Sequence, residues 1–177
     1  GTSRPISSGQ NGIFPDVDSA VKAAQQAQKE LVALGMEKRK EIIIAIREAG
    51  IKNARMLAEM AVQETGMGRI EDKVLKNESA AGLTPGVEDL KSEVKTGSRG
   101  MLLIEYTPFG VINAIAPSTN PTSTVINNGI CMLSAGNSVV FGPHPSATCA
   151  RPDRKSCRAR SDYADSGPQQ DRAGASA

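Results

Sequence analysis

Residues 111–141 read VINAIAPSTNPTSTVINNGICMLSAGNSVVF, and the order of apolar runs within them decides the fold. Val111 to Ala116 is a short apolar run ahead of a proline, and Asn137 to Phe141 is a second run closed by Gly142. Both are the length and type of buried strands. Between them, Val125, Ile126, Ile130 and Leu133 recur at spacings that place them on one helical face. Asn120 suits the residue before a helix, and Pro121 suits the first helical position, where no N–H is needed. Gly136 can end that helix. The order strand, loop, helix, strand is a βαβ unit, which predicts two parallel strands joined by a right-handed crossover.

Upstream the period changes. Asp16 is a candidate N-cap, and Val17, Ala20, Val21, Ala24, Ala27, Leu31 and Leu34 follow at spacings of three and four. This predicts a first amphipathic helix ended by Gly35. A second is predicted from Glu37 to Ala49 with Gly50 as its stop, and a third over Ala54, Leu57, Ala58, Ala61 and Val62 with Gly66 as its stop. A fourth follows with Ile70, Val74 and Ala81 inward, and the charges around it read as a solvated face. TPG at 84–86 and TGSRG at 96–100 punctuate the chain, and Met101 to Tyr106 reads as a further strand. The predicted class is therefore α/β: leading helices followed by the first βαβ part of a doubly wound domain, left incomplete.

The remaining bulk properties exclude more than they select. A net charge of +2 over 177 residues gives no argument for nucleic-acid binding. No apolar run approaches the ~20 residues of a membrane-spanning helix, and the polar opening GTSRPISSGQNG has no signal-peptide pattern. These point to a cytoplasmic protein. Cys131, Cys149 and Cys157 are an odd count without CxxC spacing, and His144 is the single histidine, so no metal site is expected.

In open α/β sheets ligands bind beyond the carboxyl ends of the strands. Two loops leave such ends here, APSTNPT at 116–122 and GPHPSA at 142–147. The first offers Ser118, Thr119 and the amide of Asn120 at a helix N-terminus, which favours an anion or a developing oxyanion. The second offers the imidazole of His144 between two prolines. The plain alternatives are helix capping for Asn120 and an exposed loop position for His144.

With these loops in view, GVINAIAPSTNPTSTVINNGICMLSAGNSVVFGPHP (110–145) resembles the CoA-acylating aldehyde dehydrogenases of the ethanolamine- and propanediol-utilisation type. AIREAG, LAEMAVQETGMGRIEDK, KN and TPGVEDL resemble the same family, so the likeness covers roughly residues 13–146. PSTNPT and AGNSVVFGPHP are specific to the acylating branch; ordinary members show a Pro-Trp-Asn-Phe-Pro loop and a Lys-Pro-Ser loop. The resemblance implies oxidation of a short-chain aldehyde with NAD and CoA to acyl-CoA through a cysteine thioester. It implies a homo-oligomeric parent enzyme, with no nucleic-acid or membrane partner, in the cytoplasm or a bacterial microcompartment. Asn120 is the matching oxyanion donor, although an ungapped register with ordinary members puts Thr119 at that position; only Asn120 carries the amide. Ala116, Pro117, Ser118 and Thr119 would line the nicotinamide side of the cleft. Pro143, His144 and Pro145 would take the adenosine end of NAD or CoA, His144 standing in for the family's lysine.

The resemblance also places the catalytic cysteine, the later glycine-rich loop and the oligomerisation arm outside this chain. Cys131, among Ile130 and Met132, reads as a small buried thiol on the crossover helix and not as the nucleophile. The implied organisation is a linker-like leader over 1–15, a partial nucleotide-binding domain over 16–146, and a non-family, disordered tail over 147–177. After Phe141 there is no Val, Ile, Leu, Met or Phe, and the loss of aliphatic spacing after Ser146 reads as a frame shift near Ala147. The expectation is an inactive fragment; the alternative is a non-catalytic binding or assembly module that docks on a full-length partner.

Overall fold

A computed structural model describes residues 12–147. The leader through residue 11 and the tail from residue 148, including Cys149 and Cys157, lie outside the described residues. Four helices lead: α1 (Val17–Ala33), α2 (Gly35–Lys52), α3 (Ala54–Thr65) and α4 (Ile70–Leu83). A 3₁₀ turn at Val87–Asp89 follows, then strands β1 (Glu93–Gly97), β2 (Gly100–Ile104) and β3 (Val111–Ala116), helix α5 (Pro121–Ser134) and strand β4 (Ser138–Pro143). β3 and β4 pair in parallel, with Val111 opposite Ser138 and Ala116 opposite Pro143, so the predicted βαβ unit is present. β1 and β2 form a separate antiparallel hairpin.

Asp16 caps α1 as its sequence position predicts. Its carboxylate accepts from the Ser19 N–H at 2.7 Å and from the Ser19 hydroxyl at 2.8 Å. The backbone bond first, then the hydroxyl, holds the Asp16 carboxyl below its ordinary value of 3.8. A depressed folded-state value means that the cap stabilises above the unfolded value and is lost as pH falls through the folded one. Acid titration is therefore expected to loosen the first turn of α1 below pH 3.8, read as faster amide exchange at Ser19. Asp16→Asn, which caps without titrating, should flatten that dependence; an equal pH response in both proteins would show that the cap is not its source.

Gly35 adopts a left-handed φ of 79° and ends α1, but α2 begins at once. Gly50 does not end α2 as predicted; the helix continues to Lys52. Gly50 is buried, and a Cβ there would lie 3.0 Å from the Ala81 Cβ on α4. The glycine serves close helix approach, not termination. Gly66, at φ 65°, does close α3.

The core lies where α2, α4 and α5 meet, around Ile43, Ala81, Val87, Ile126 and Ile130. Arg47 pins α2 to the carboxyl end of α4, donating to the carbonyls of Ala81 (2.9 Å), Gly82 (3.1 Å) and Thr84 (2.7 Å). These are carbonyls that a helix end leaves without intrahelical partners. α1 packs along β4, and Gln28 donates across 108 residues to the Gly136 carbonyl at 3.1 Å.

The inner face of α4 departs from the apolar prediction. Lys73, Asn77 and Ala81 are its buried residues, while Ile70 and Val74 are half-buried. Asn77, 1% exposed, donates to the Ala54 carbonyl at 3.0 Å and accepts from the Thr122 hydroxyl at 2.8 Å. One amide thus bridges the start of α3 to the start of α5. Burial of this residue is tolerable because both ends of its amide are satisfied.

The strand predicted over Met101 to Tyr106 is β2, which runs from Gly100 to Ile104. Its partner β1 was not anticipated. Every residue of the hairpin is exposed, including Val94, Met101, Leu102 and Leu103. On the β3–β4 sheet, Ala114 and Ala116 are buried, whereas Ile115 on the other face is 74% exposed.

Candidate functional site

β3 and β4 bring the two signature loops together. Their register sets Ala116 opposite Pro143, and the His144 N–H then donates to the Ala116 carbonyl at 3.0 Å. Residues 117–120 and 144–147 therefore leave the same sheet edge from adjacent strand ends. Ala116 is buried, Ser118 and Pro143 are half-buried, and Pro117, Thr119, His144 and Pro145 are exposed. Small and proline side chains at the strand ends leave the edge open. Ala116 and Pro143 also line an apolar cavity of about 470 Å³ that reaches back between α1 and α5.

His144 is an exposed loop residue whose ring has one fixed partner. Its Nδ1 accepts from the Ser146 N–H at 3.1 Å, and its carbonyl accepts from the Ala147 N–H at 2.9 Å. With Nδ1 an acceptor, the neutral ring carries its proton on Nε2. In that tautomer Nε2 is the ring's donor.

Asn120 occupies the position before α5, but its side chain makes no capping bond. Capping is therefore not its role. The helix start is held by other means: Pro121 removes one free N–H, and the Thr124 N–H donates to the Asn120 backbone carbonyl at 3.2 Å. The Asn120 Oδ1 instead accepts from the Lys76 ammonium at 3.1 Å. One turn earlier on α4, the buried Lys73 donates to the Thr119 carbonyl at 2.6 Å. Leu75, Lys76 and Ser79 of α4 face Asn120, Thr124 and Asn127 across an open groove of about 480 Å³.

Sequence reading missed Lys73, Lys76 and Asn77. Lys73 is not part of a solvated face; it is one of the buried residues of α4. The available signal was the spacing of Lys73, Asn77 and Ala81, a four-residue period of mixed polarity that an apolar search does not register. Cys131 also differs from its predicted setting. It is exposed on α5, with Sγ 3.9 Å from the Pro85 carbonyl. Partial desolvation pushes its thiol pKa up, so the thiol form is favoured and the site does not activate it.

Comparison with known proteins follows the same lines. The family model described as "Aldehyde dehydrogenase family" matches residues 2–151. The acetylating acetaldehyde dehydrogenase EutE of Salmonella typhimurium is 56% identical over 136 residues, which cover 77% of this chain and 29% of that protein. Among solved structures, Rhodopseudomonas palustris propionaldehyde dehydrogenase, with bound CoA and an acylated cysteine, is similar at TM-score 0.76 and 43% identity, over 85% of this chain and 36% of that one. A propionaldehyde dehydrogenase from the Clostridium phytofermentans fucose utilisation bacterial microcompartment is similar at TM-score 0.75 and 43% identity, over 89% of this chain and 36% of that one. The chain spans about 29% of the length of EutE. Among the described residues, no helix is long and apolar enough to cross a membrane.

Proposed function

The chain belongs to the aldehyde dehydrogenase family, and from that premise we propose that an enzyme built on this segment oxidises a short-chain aldehyde with NAD and CoA to acyl-CoA. A cysteine thiolate adds to the aldehyde carbon, and the carbonyl oxygen becomes an oxyanion. NAD, held along the 116–119 and 143–145 loops, would supply the acceptor for the hydride that the resulting thiohemiacetal loses. The product is a thioester, and the CoA thiol displaces the enzyme thiol from it. This chain's part is to shape the cofactor edge and to hold the oxyanion.

The residues present fit such a cofactor edge. Ala116, Pro117, Ser118 and Thr119 would flank the nicotinamide side, where small side chains leave room. Pro143, His144 and Pro145 would flank the adenosine end, and the Nε2–H of His144 would suit a hydroxyl acceptor on ribose. A neutral donor there suits an edge used in turn by NAD and CoA. Asn120 would donate its Nδ2–H to the oxyanion, a contact that gains strength as negative charge develops. The observation that carries the reading is the meeting of the two acylating-branch loops at one edge, fixed by the 3.0 Å bond from His144 N–H to the Ala116 carbonyl.

Among the described residues no nucleophile is assigned: Cys131 lies on α5, and partial desolvation pushes its thiol pKa up. The 177-residue chain alone is therefore expected to be inactive. The exposed apolar side chains of the β1–β2 hairpin support a homo-oligomeric enzyme. The likeness to a microcompartment enzyme supports a cytoplasmic protein enclosed in such a compartment.

The test grafts the matching segment of this chain into full-length Salmonella EutE. The graft should form acyl-CoA and NADH from acetaldehyde or propanal, and the chain alone should form neither. A graft that assembles as its parent does but yields no acyl-CoA would overturn the proposal. Association of the unmodified chain with an intact dehydrogenase, without any gain or transfer of activity, would favour the assembly-module alternative.

A further inference from the structure

The geometry points to Lys76 as a positioning residue: its ammonium holds the Asn120 side-chain carbonyl and thereby fixes which way the amide is turned, with its N–H₂ directed away from Lys76. This rests on the reading of Asn120 as the oxyanion donor. An asparagine at the start of a helix ordinarily turns its side-chain oxygen back onto the first free N–H groups. Asn120 does not. Its Oδ1 lies 3.1 Å from Lys76 Nζ. An ammonium has three donors and no acceptor, so only the amide oxygen can face it. The Nδ2 group must then point away from Lys76. The choice between the two amide orientations is made by charge, not by a weak preference between neutral partners.

The neighbouring contacts show why one helix can do this. Lys73 holds the Thr119 carbonyl at 2.6 Å, one residue before Asn120. Asn77 accepts from Thr122 at 2.8 Å, two residues after it. Three positions on one face of α4 therefore grip the backbone before Asn120, its side chain, and the first turn that follows. Lys73 and Asn77 are buried, whereas the Lys76–Asn120 bond is exposed. Lys76 can thus be replaced without emptying the core. Its second effect is electrostatic. Withdrawing density through Oδ1 makes the N–H₂ a stronger donor.

Two measurements test this. In the isotope-labelled 177-residue chain, Lys76→Met should shift the Asn120 Cγ and Nδ2 signals, while Lys76→Arg should return them toward their original positions. Asn127 and Asn128 line the same groove and serve as controls. In the grafted enzyme, Lys76→Met should lower kcat about 10-fold with the KM for NAD unchanged. Lys76→Arg should recover most of it, and Lys76→Met should cost nothing further in an Asn120→Ala background.

Asn120 signals that move no more than those of the controls would overturn the inference. So would a Lys76→Met loss that persists in full without Asn120. If Asn120→Ala itself leaves kcat unchanged, the oxyanion reading fails, and the amide signals still decide whether Lys76 orients that side chain.

Discussion

In the grafted enzyme, Asn120→Ala is expected to lower kcat by about 10²–10³-fold with little change in the KM for aldehyde. The asymmetry follows from when the contact forms. An aldehyde oxygen carries little charge before the thiolate adds, so the amide contributes mainly as the oxyanion appears. The structure separates this loss from a folding defect. Asn120 contributes no side-chain cap to α5. The first turn is held by the backbone bond from Thr124 and by the Asn77–Thr122 contact, both of which survive truncation at Asn120. Thr119→Ala is the decisive comparison, because an ungapped register places that residue at the family's asparagine position. Its carbonyl, not its side chain, is held by Lys73, so the alanine variant should lose no more than a few-fold. If Thr119→Ala proves the more damaging, the donor is its hydroxyl and not the Asn120 amide.

Ile130→Ala is expected to destabilise the chain by about 3–4 kcal/mol, read from the denaturant midpoint. Ile130 is 0% exposed and sits in the cluster with Ile43, Ala81, Val87 and Ile126. The cost depends on whether neighbours can move in to fill the space. Here they are restrained: α2 and α4 already approach to the limit at Gly50 and Ala81, and Arg47 fastens α2 to the end of α4. The cavity should therefore persist. Ile130→Val, which removes one methylene, should cost about 1 kcal/mol. Equal effects of the two substitutions would show that the α2–α4–α5 seam relaxes freely.

The βαβ unit was legible because the spacing of apolar residues changes between its parts, and Pro121 and Gly136 mark the helix ends. α1 and α3 were legible for similar reasons. Gly50 misled because glycine reads locally as a stop, whereas its reason is Ala81, a residue on another helix. β1 escaped notice because Glu93 and Lys95 interrupt a five-residue segment that buries nothing. At the candidate site, the common edge of the two loops followed from parallel pairing. The contacts around Asn120 did not. Lys73 and Asn77 are buried because the 119–122 segment supplies their partners, and no period within α4 encodes that segment. The polar line of α4 becomes intelligible only with α5 placed against it.

The packing of α1 against β4 also sets a schedule for synthesis on the ribosome. Gln28 and Gly136 are 108 residues apart, and translation at about 5–20 residues per second separates their emergence by roughly 5–20 s. Through that interval the face of α1 that will meet β4 has no partner, while α2, α3 and α4 can already assemble beside it. The nascent chain therefore carries an exposed apolar helix face until β4 arrives, a window in which a chaperone that recognises such faces would find its substrate.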